Sequence, residues 1–437
     1  MKQLHGFPYF EVQFTKKGDV FKSAEEKELI DFVKQGGTTD LFVISHGWNN
    51  DMADARNLYD RLFKWVRHVL DSARIPGASN RSYAILAVLW PSKKFADDEL
   101  IPSGAAGARS PIGVAELRKQ LDNLRGAFDA PRADQKLTRA KALLPKLEDS
   151  KGARKEFGDL LRSLVPPKAG DELDGTEQFR KIAGDELIDR LSKPVSATRP
   201  KGPGGATAIT PGAGGAAGIR SFFSGILSGA RNALNLATYY QMKERAGSVG
   251  QSGVNSLLRK IRSLAPGLKF HLIGHSFGGR LVTAAAAGPL NQPPVGVSTM
   301  TLLQAAFSHY GFSQNYVANK NGFFRRVIED EMVKGPILIT CTTNDRAVGL
   351  AYPTASLLAQ QVASALGDKN SKYGGIGCNG AQKTPEASDL ILQKAGGSYS
   401  FASGKLYNLN SDKTISGHSD ITKEEVAYAL IKAVSVT

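Results

Sequence analysis

Ser276 is the side chain of this sequence best placed to do covalent chemistry. It stands in Lys269–Leu281, KFHLIGHSFGGRL, where an apolar run, Phe270–Ile273, leads into Gly274-His275-Ser276-Phe277-Gly278 and a helix-compatible run, Arg280 to Ala287, follows. A serine hydroxyl is a weak nucleophile until a base takes its proton. Set on a tight turn between a strand and a helix, it projects where a base can reach it. Gly274 and Gly278 leave room for strand and helix to close on that turn. The N–H of Phe277, at the start of the helix, would then point at an oxyanion developing on a carbonyl substrate. The plain alternative is a glycine-rich turn with an incidental serine, in a chain that holds 46 glycines.

Such a serine needs a base within hydrogen-bond reach, and the base needs an orienting carboxylate. In strand–turn–helix arrangements of this kind the acid and then the histidine follow the serine along the chain. Of seven histidines only His309 and His418 come after Ser276. His418 is the preferred base, because Gly417-His418-Ser419-Asp420 lies between the last strand-like run and the terminal helix, where a loop can swing over a sheet edge. His309 ends a strand nearer the serine. Asp345 is the preferred acid: it follows the apolar run Pro336–Thr340 at the carboxyl edge, where catalytic groups gather in parallel sheets. It would also serve as a helix N-cap. Asp412 and Asp420 are the fallback acids. His46-Gly47-Trp48 ends an earlier strand, Leu41–Ile44. It is read as the second half of an oxyanion hole, with Gly47 letting the Trp48 N–H turn inward and His46 holding the loop by hydrogen bonds.

Together, His46-Gly47-Trp48, Gly274–Gly278, Asp345 and His418 resemble the α/β-hydrolase fold serine hydrolases of the lipase/esterase type, over about Leu41–Trp90 and Val254–Val434. The resemblance implies an α/β fold with a mostly parallel sheet flanked by helices and a large, mainly helical cap insertion. It implies acyl transfer to Ser276 and hydrolysis of the acyl-enzyme by water, with no metal and no cofactor. Carboxylic esters, lipids and phospholipids among them, are the leading substrates. An amidase, a thioesterase or an acyltransferase would use the same triad, and a non-catalytic interaction protein on the same scaffold is the reading from a different class.

The elements that must position these groups are legible as patterns. Tyr9–Phe14 alternates like a strand, Ser23–Lys34 reads as a helix with a Ser23/Glu26 capping box, and Ala53–Leu70 reads as a helix with an apolar face. Tyr83–Trp90, Val297–Ala306 and Pro336–Thr340 read as buried strands, and Val254–Leu264 and Lys423–Val434 as helices. Tyr399–Phe401 and Lys405–Leu409 read as a late strand or hairpin, Ala355–Leu366 as a helix, and Gly374–Lys383 as loop. A parallel sheet needs a crossover after Trp90, and none arrives before Val254. Residues 1–92 and 247–437 are therefore read as the core and 93–246 as a cap or lid insertion. Its helical runs are Val114–Phe128, Ala133–Leu147, Ala153–Val165 and Glu177–Leu191, followed by a Gly/Pro/Ala-rich loop from Lys193 to Gly218. Ile219–Tyr240, with Phe222, Phe223 and Leu227, either meets lipid as a lid or packs on a core.

The 437 residues carry a formal net charge of +15. That charge favours anionic surfaces such as a membrane, with which the protein would make peripheral contact. The basic residues are dispersed and no nucleic-acid motif accompanies them, so nucleic acid is not an expected partner; no protein partner is indicated. Two cysteines cannot make a disulfide framework. The amino-terminal stretch has no apolar segment of the secretory kind and no run of 18 apolar residues occurs, so a cytoplasmic location is the default expectation, with signal-less export the other route.

Overall fold

A computed structural model describes residues 1–48, 50–72, 75–92, 113–166, 174–192, 225–345, 347–348 and 368–437. The chain divides into two compact units, one of Met1–Lys93, Arg245–Val348 and Gly375–Thr437, the other of Lys94–Glu244 and Gly349–Gly374. The second unit thus takes in 349–374, which the sequence reading had left with the core. The Gly/Pro/Ala-rich loop, Phe222, Phe223 and the expected helix Ala355–Leu366 lie outside the described residues.

The first unit is built on nine strands: β1 (Lys2–Leu4), β2 (Phe7–Gln13), β3 (Asp40–Ser45), β4 (Tyr83–Leu89), β5 (Lys269–His275), β6 (Thr299–Leu303), β7 (Ile337–Cys341), β8 (Ala387–Ile391) and β9 (Leu406–Asn410). They form one sheet in the order β1-β2-β4-β3-β5-β6-β7-β9-β8. Only β1 and β2 pair antiparallel; every other pair is parallel. Parallel neighbours require crossovers, and helices supply them on both faces of the sheet. That is why β3 and β4 are buried along their whole length and read as unbroken apolar runs.

Side chains alternate across a strand, so each face collects every second residue. On one face Phe42, Ile44, Ile85 and Ala87 pack with Tyr59, Leu62, Phe63 and Val66 of the helix Met52–Ser72 and with Leu430, Ile431 and Val434 of the helix Glu424–Val434. The other face carries the helix Phe277–Ala287, buried at every residue. Beside it run a π-helical turn, Val249–Val254, and the helix Asn255–Leu264.

The amino edge of the sheet is pinned by a polar network. Asp40 and His271 are fully buried. His271 Nε2 bonds Asp40 Oδ1 at 2.7 Å and its Nδ1 meets Thr299 Oγ1 at 2.8 Å. Arg81 donates to Asp40 at 3.0 Å and also to the Thr437 backbone oxygen, which Lys269 holds as well. The network joins the starts of β3, β5 and β6 to the residues before β4 and after the last helix.

The second unit contains the helices Val114–Asn123, Ala133–Leu143, Lys151–Arg162, Thr176–Lys181 and Gly184–Leu191 and most of Ile226–Ser248. The run expected as one helix, Glu177–Leu191, is two. The chain turns extended at Ile182 and Ala183 so that Gly184 can seat against Gly158, where a Cβ on Gly158 would meet the Gly184 oxygen at 2.2 Å. Of the proposed lid segment, Tyr240 is fully buried, edge-on to Phe179 at 5.4 Å, with its hydroxyl donating to the Asp174 carbonyl at 3.1 Å. That residue packs inside its own unit. Among the described residues no helix is long and apolar enough to cross a membrane.

Elsewhere the structure corrects smaller points. Ser23 begins its helix instead of capping it, and the cap position, Lys22, makes no capping bond through its side chain. Glu26 does not close a capping box but accepts from Lys260 at 2.9 Å, and Glu25 accepts from the Gln13 N–H and side-chain amide. Residues 405–409 do join a strand, β9, but its partners are β7 and β8 and not the 399–401 segment. The expected loop Gly374–Lys383 holds a helical turn, Ile376–Asn379.

Removing the carboxylate at the centre of the edge network takes from Arg81 its buried anionic partner and from His271 Nε2 its acceptor. Asp40→Ala should therefore cost about 3–5 kcal/mol of stability, measured by urea unfolding at pH 7. A loss below about 1 kcal/mol would mean the network does not hold that edge.

Candidate functional site

The carboxyl ends of the parallel strands converge on Ser276, which directly follows β5. Its backbone is at φ 55, ψ −124, a left-handed conformation rare outside glycine. Such a conformation costs of order 1–3 kcal/mol and persists only where its surroundings over-determine it. Here they do. Ser276 N–H donates to the Leu303 carbonyl at 3.0 Å, and Ser276 O accepts from Gly279 N at 2.9 Å and Ala306 N at 3.0 Å. The neighbouring glycines are required by contact. A Cβ on Gly274 would stand 2.4 Å from Gly278 O, one on Gly278 would stand 2.2 Å from Ser45 O, and one on Gly47 would stand 2.6 Å from Ser276 Cβ. Strand, helix and the loop after β3 therefore meet backbone to backbone around the serine.

Asp345 and His418 come together at the same edge. His418 Nδ1 bonds Asp345 Oδ2 at 2.8 Å. Asp345 is fully buried, while the His418 side chain keeps 14% of its surface exposed. The carboxylate also accepts from Gln304 Nε2 at 3.4 Å, and through Oδ1 from Val348 N at 3.0 Å, so it caps the following turn as well as orienting the imidazole. The loops that carry the pair are laced to each other. Asn344 Nδ2 donates to the carbonyls of Asp412 (3.0 Å) and Ile415 (2.9 Å), and the Asp412 carboxylate accepts from Thr342 Oγ1 (2.7 Å) and Thr343 N (2.8 Å). Asp412 is thus occupied in holding the loop, and Asp420 bonds Ser416 and Lys423. His309 is buried against Asn379, with Nδ1 2.9 Å from its amide.

His275 reaches back to the same loop: its Nε2 lies 2.9 Å from the His418 carbonyl, and the two rings are 4.9 Å apart. Ser276 and the His418 imidazole therefore share one edge. Among the described residues His418 bonds Asp345 through its imidazole and His275 through its carbonyl, and no hydrogen bond joins it to Ser276 Oγ.

The loop after β3 is set by buried polar contacts. The Trp90 N–H donates to His46 Nε2 at 3.3 Å and His46 Nδ1 donates to Gly47 O at 2.9 Å, which fixes a neutral tautomer; the ring stacks on Trp90. Burial pushes the His46 pKa down to about 4, so it does not move protons near neutrality. Its N–H donates to Tyr59 Oη, which in turn donates to the Val88 carbonyl. Trp48 and Phe277, the two residues assigned to the oxyanion hole, have their rings 5.8 Å apart, and Phe277 opens its helix, at the positive end of the helix dipole. Two contributors escaped the sequence reading. Gln304 carries a left-handed φ of 44 just past β6, and only an invisible backbone angle distinguishes it. Tyr59 lies in a helix face that reads as core. Among the described residues no three His, Cys, Asp or Glu side chains are grouped to hold a metal ion.

No family model, no curated protein and no solved structure matches the chain.

Two outcomes follow from this geometry. Ser276→Gly relieves the left-handed strain and, net of the extra unfolded-state freedom of glycine, should raise stability by about 1 kcal/mol. A destabilised variant in urea titration would mean the angle is not strained. The second outcome concerns pH. Burial holds His46 near 4 and pushes His275 down to about 3, and it also lowers His271. Each folded value lies below the unfolded one, so the unfolded chain binds more protons as the pH falls below about 6.5. Their stabilisation is complete above that pH and is lost below it. Between pH 7 and 5, His46 and His275 should each remove about 2 kcal/mol. Equal urea midpoints at the two pH values would show that neither is held neutral.

Proposed function

We propose that the chain is a serine hydrolase of the α/β-hydrolase fold that cleaves carboxylic esters through an acyl-enzyme. The observation that carries this reading is the strained Ser276 backbone, φ 55, on a strand-to-helix turn at the same edge as an Asp345–His418 pair whose carboxylate is buried. Strain of this kind is kept where it places a reacting group.

In this reading Ser276 Oγ attacks the ester carbonyl while His418 Nε2 takes its proton. Asp345, bonded to Nδ1, keeps the imidazole in the tautomer whose Nε2 is a base and steadies the imidazolium that forms. The carbonyl oxygen becomes an oxyanion that the N–H groups of Trp48 and Phe277 receive. His418 returns the proton to the leaving alcohol. A water then attacks the acyl-enzyme, giving its proton to His418, which passes it to Ser276 Oγ as the acyl C–O bond breaks, and the carboxylic acid leaves with Ser276 and His418 restored. The net charge of +15 favours esters presented on anionic surfaces, phospholipids among them.

Ser276→Ala should abolish fluorophosphonate labelling and ester hydrolysis, with a loss on the order of 10⁶ in kcat. Asp345→Asn should cost about 10⁴, because the amide presents the wrong partner to Nδ1. Wild-type protein that neither labels nor turns over p-nitrophenyl esters or phospholipids would leave an interaction protein on this scaffold as the surviving reading.

A further inference from the structure

His275 fills the position between the end of β5 and the nucleophile, and its side chain does more than fill space. Its Nε2 lies 2.9 Å from the backbone oxygen of His418, 143 residues away in sequence. A carbonyl only accepts, so Nε2 carries the proton and Nδ1 of the neutral ring is left as an acceptor. That Nδ1 is buried and finds no hydrogen-bond partner among the described residues. Burying a polar nitrogen in this way is unfavourable, and an apolar side chain would fill the site without that cost.

The other hydrogen bonds of the loop fix its flanks. Asn344 holds Asp412 and Ile415, and Ser416 closes a turn with Asp420. At His418 itself there are two ties: the imidazole to Asp345 and the carbonyl to His275. The second comes from the residue next to Ser276, so it links the backbone of the base to the backbone of the nucleophile. Burial, reinforced by the neighbouring His418, pushes the His275 pKa down to about 3, which keeps its ring neutral while His418 works.

We infer that His275 is a positioning residue that sets the distance of His418 from Ser276 by holding the His418 carbonyl. The inference rests on the hydrolase reading of Ser276, Asp345 and His418. Misplacement of a catalytic group by about 1 Å can cost of order 10²-fold.

The test compares two substitutions of equal length. His275→Gln keeps an N–H donor near the Nε2 position, and His275→Met removes it. On a soluble p-nitrophenyl ester, His275→Gln should stay within about threefold of the parent, and His275→Met should lose about 10- to 100-fold in kcat with KM little changed. A second readout does not depend on turnover: the downfield proton resonance of His418 Nδ1–H, assigned by its loss in His418→Ala, should exchange faster in His275→Met and remain slow in His275→Gln. The thermal midpoint of His275→Met should be no lower than that of the parent. Parent-like kcat and parent-like exchange in His275→Met, or an equal loss in His275→Gln, would overturn the assignment. A parent that neither labels nor hydrolyses esters would sink the hydrolase reading alone, and the exchange comparison would still decide the positioning claim. His275→Leu takes the place of His275→Met if the latter is recovered unfolded.

Discussion

The close approach of three backbones at Ser276 is the constraint on which the site depends. Gly274 and Gly278 let strand and helix meet with no side chain between them, Gly279 lets the helix lie on Ala305, and Gly47 lets the loop after β3 rest on the serine. Close contact alone would not hold a left-handed serine. Three backbone hydrogen bonds do, one given by its N–H and two received by its carbonyl. They tie the turn to β6 and to the first turn of the helix, so the strained angle is stabilised by the register of the sheet. Relaxing it would break the β5–β6 junction, and that cost exceeds the strain.

The sheet then determines which groups can meet. In a parallel sheet every strand delivers its carboxyl end to the same edge. β3 brings His46 to Trp48, β5 brings His275 and Ser276, β6 brings Gln304, β7 leads to Asp345, and β9 leads to His418. The strand order sets β7 and β9 side by side, with Cys341 opposite Asn410. The loops beyond them can therefore be stitched by Asn344, Thr342 and Asp412. The Asp345–His418 bond spans 73 residues of sequence, but only one strand spacing separates the strands that carry it.

Much of this was legible in the residues, for physical reasons. Buried parallel strands are apolar without alternation, so β3, β4 and β5 stand out. A turn that demands close approach demands glycine, so Gly274 and Gly278 mark it. The parts that escaped notice are those whose cause lies outside the local sequence. β1 is three residues long and is made by a His5-Gly6 turn with both residues at positive φ. β8 is an edge strand with polar, exposed positions, and its partner β9 creates it. The break at Ile182 and Ala183 answers to Gly158 on another helix. Gln304 and Tyr59 gain their roles only from what the fold sets beside them, since a lone Gln or a core Tyr carries no signal of what it will hold.

The two edges of the sheet offer a comparison that separates residue type from chemistry. Both hold an aspartate, a histidine and a hydroxyl residue: Asp40, His271 and Thr299 on the neighbouring strands β3, β5 and β6 at the amino edge, and Asp345, His418 and Ser276 in the segments after β7, β9 and β5 at the carboxyl edge. At the amino edge Thr299 belongs to a regular strand, its hydroxyl is bonded to His271 at 2.8 Å, and Arg81 compensates the aspartate. All three residues are buried. Both carboxylate oxygens of Asp40 and both ring nitrogens of His271 are bonded there, and the trio acts as a clamp. At the carboxyl edge the histidine is partly exposed, the aspartate accepts from an amide and a backbone donor, and the serine stands on a strained turn. The same three side-chain types therefore make a structural lock at one edge and, at the other, an Asp–His pair that is partly exposed near a serine on a strained turn; the difference lies in backbone conformation and exposure.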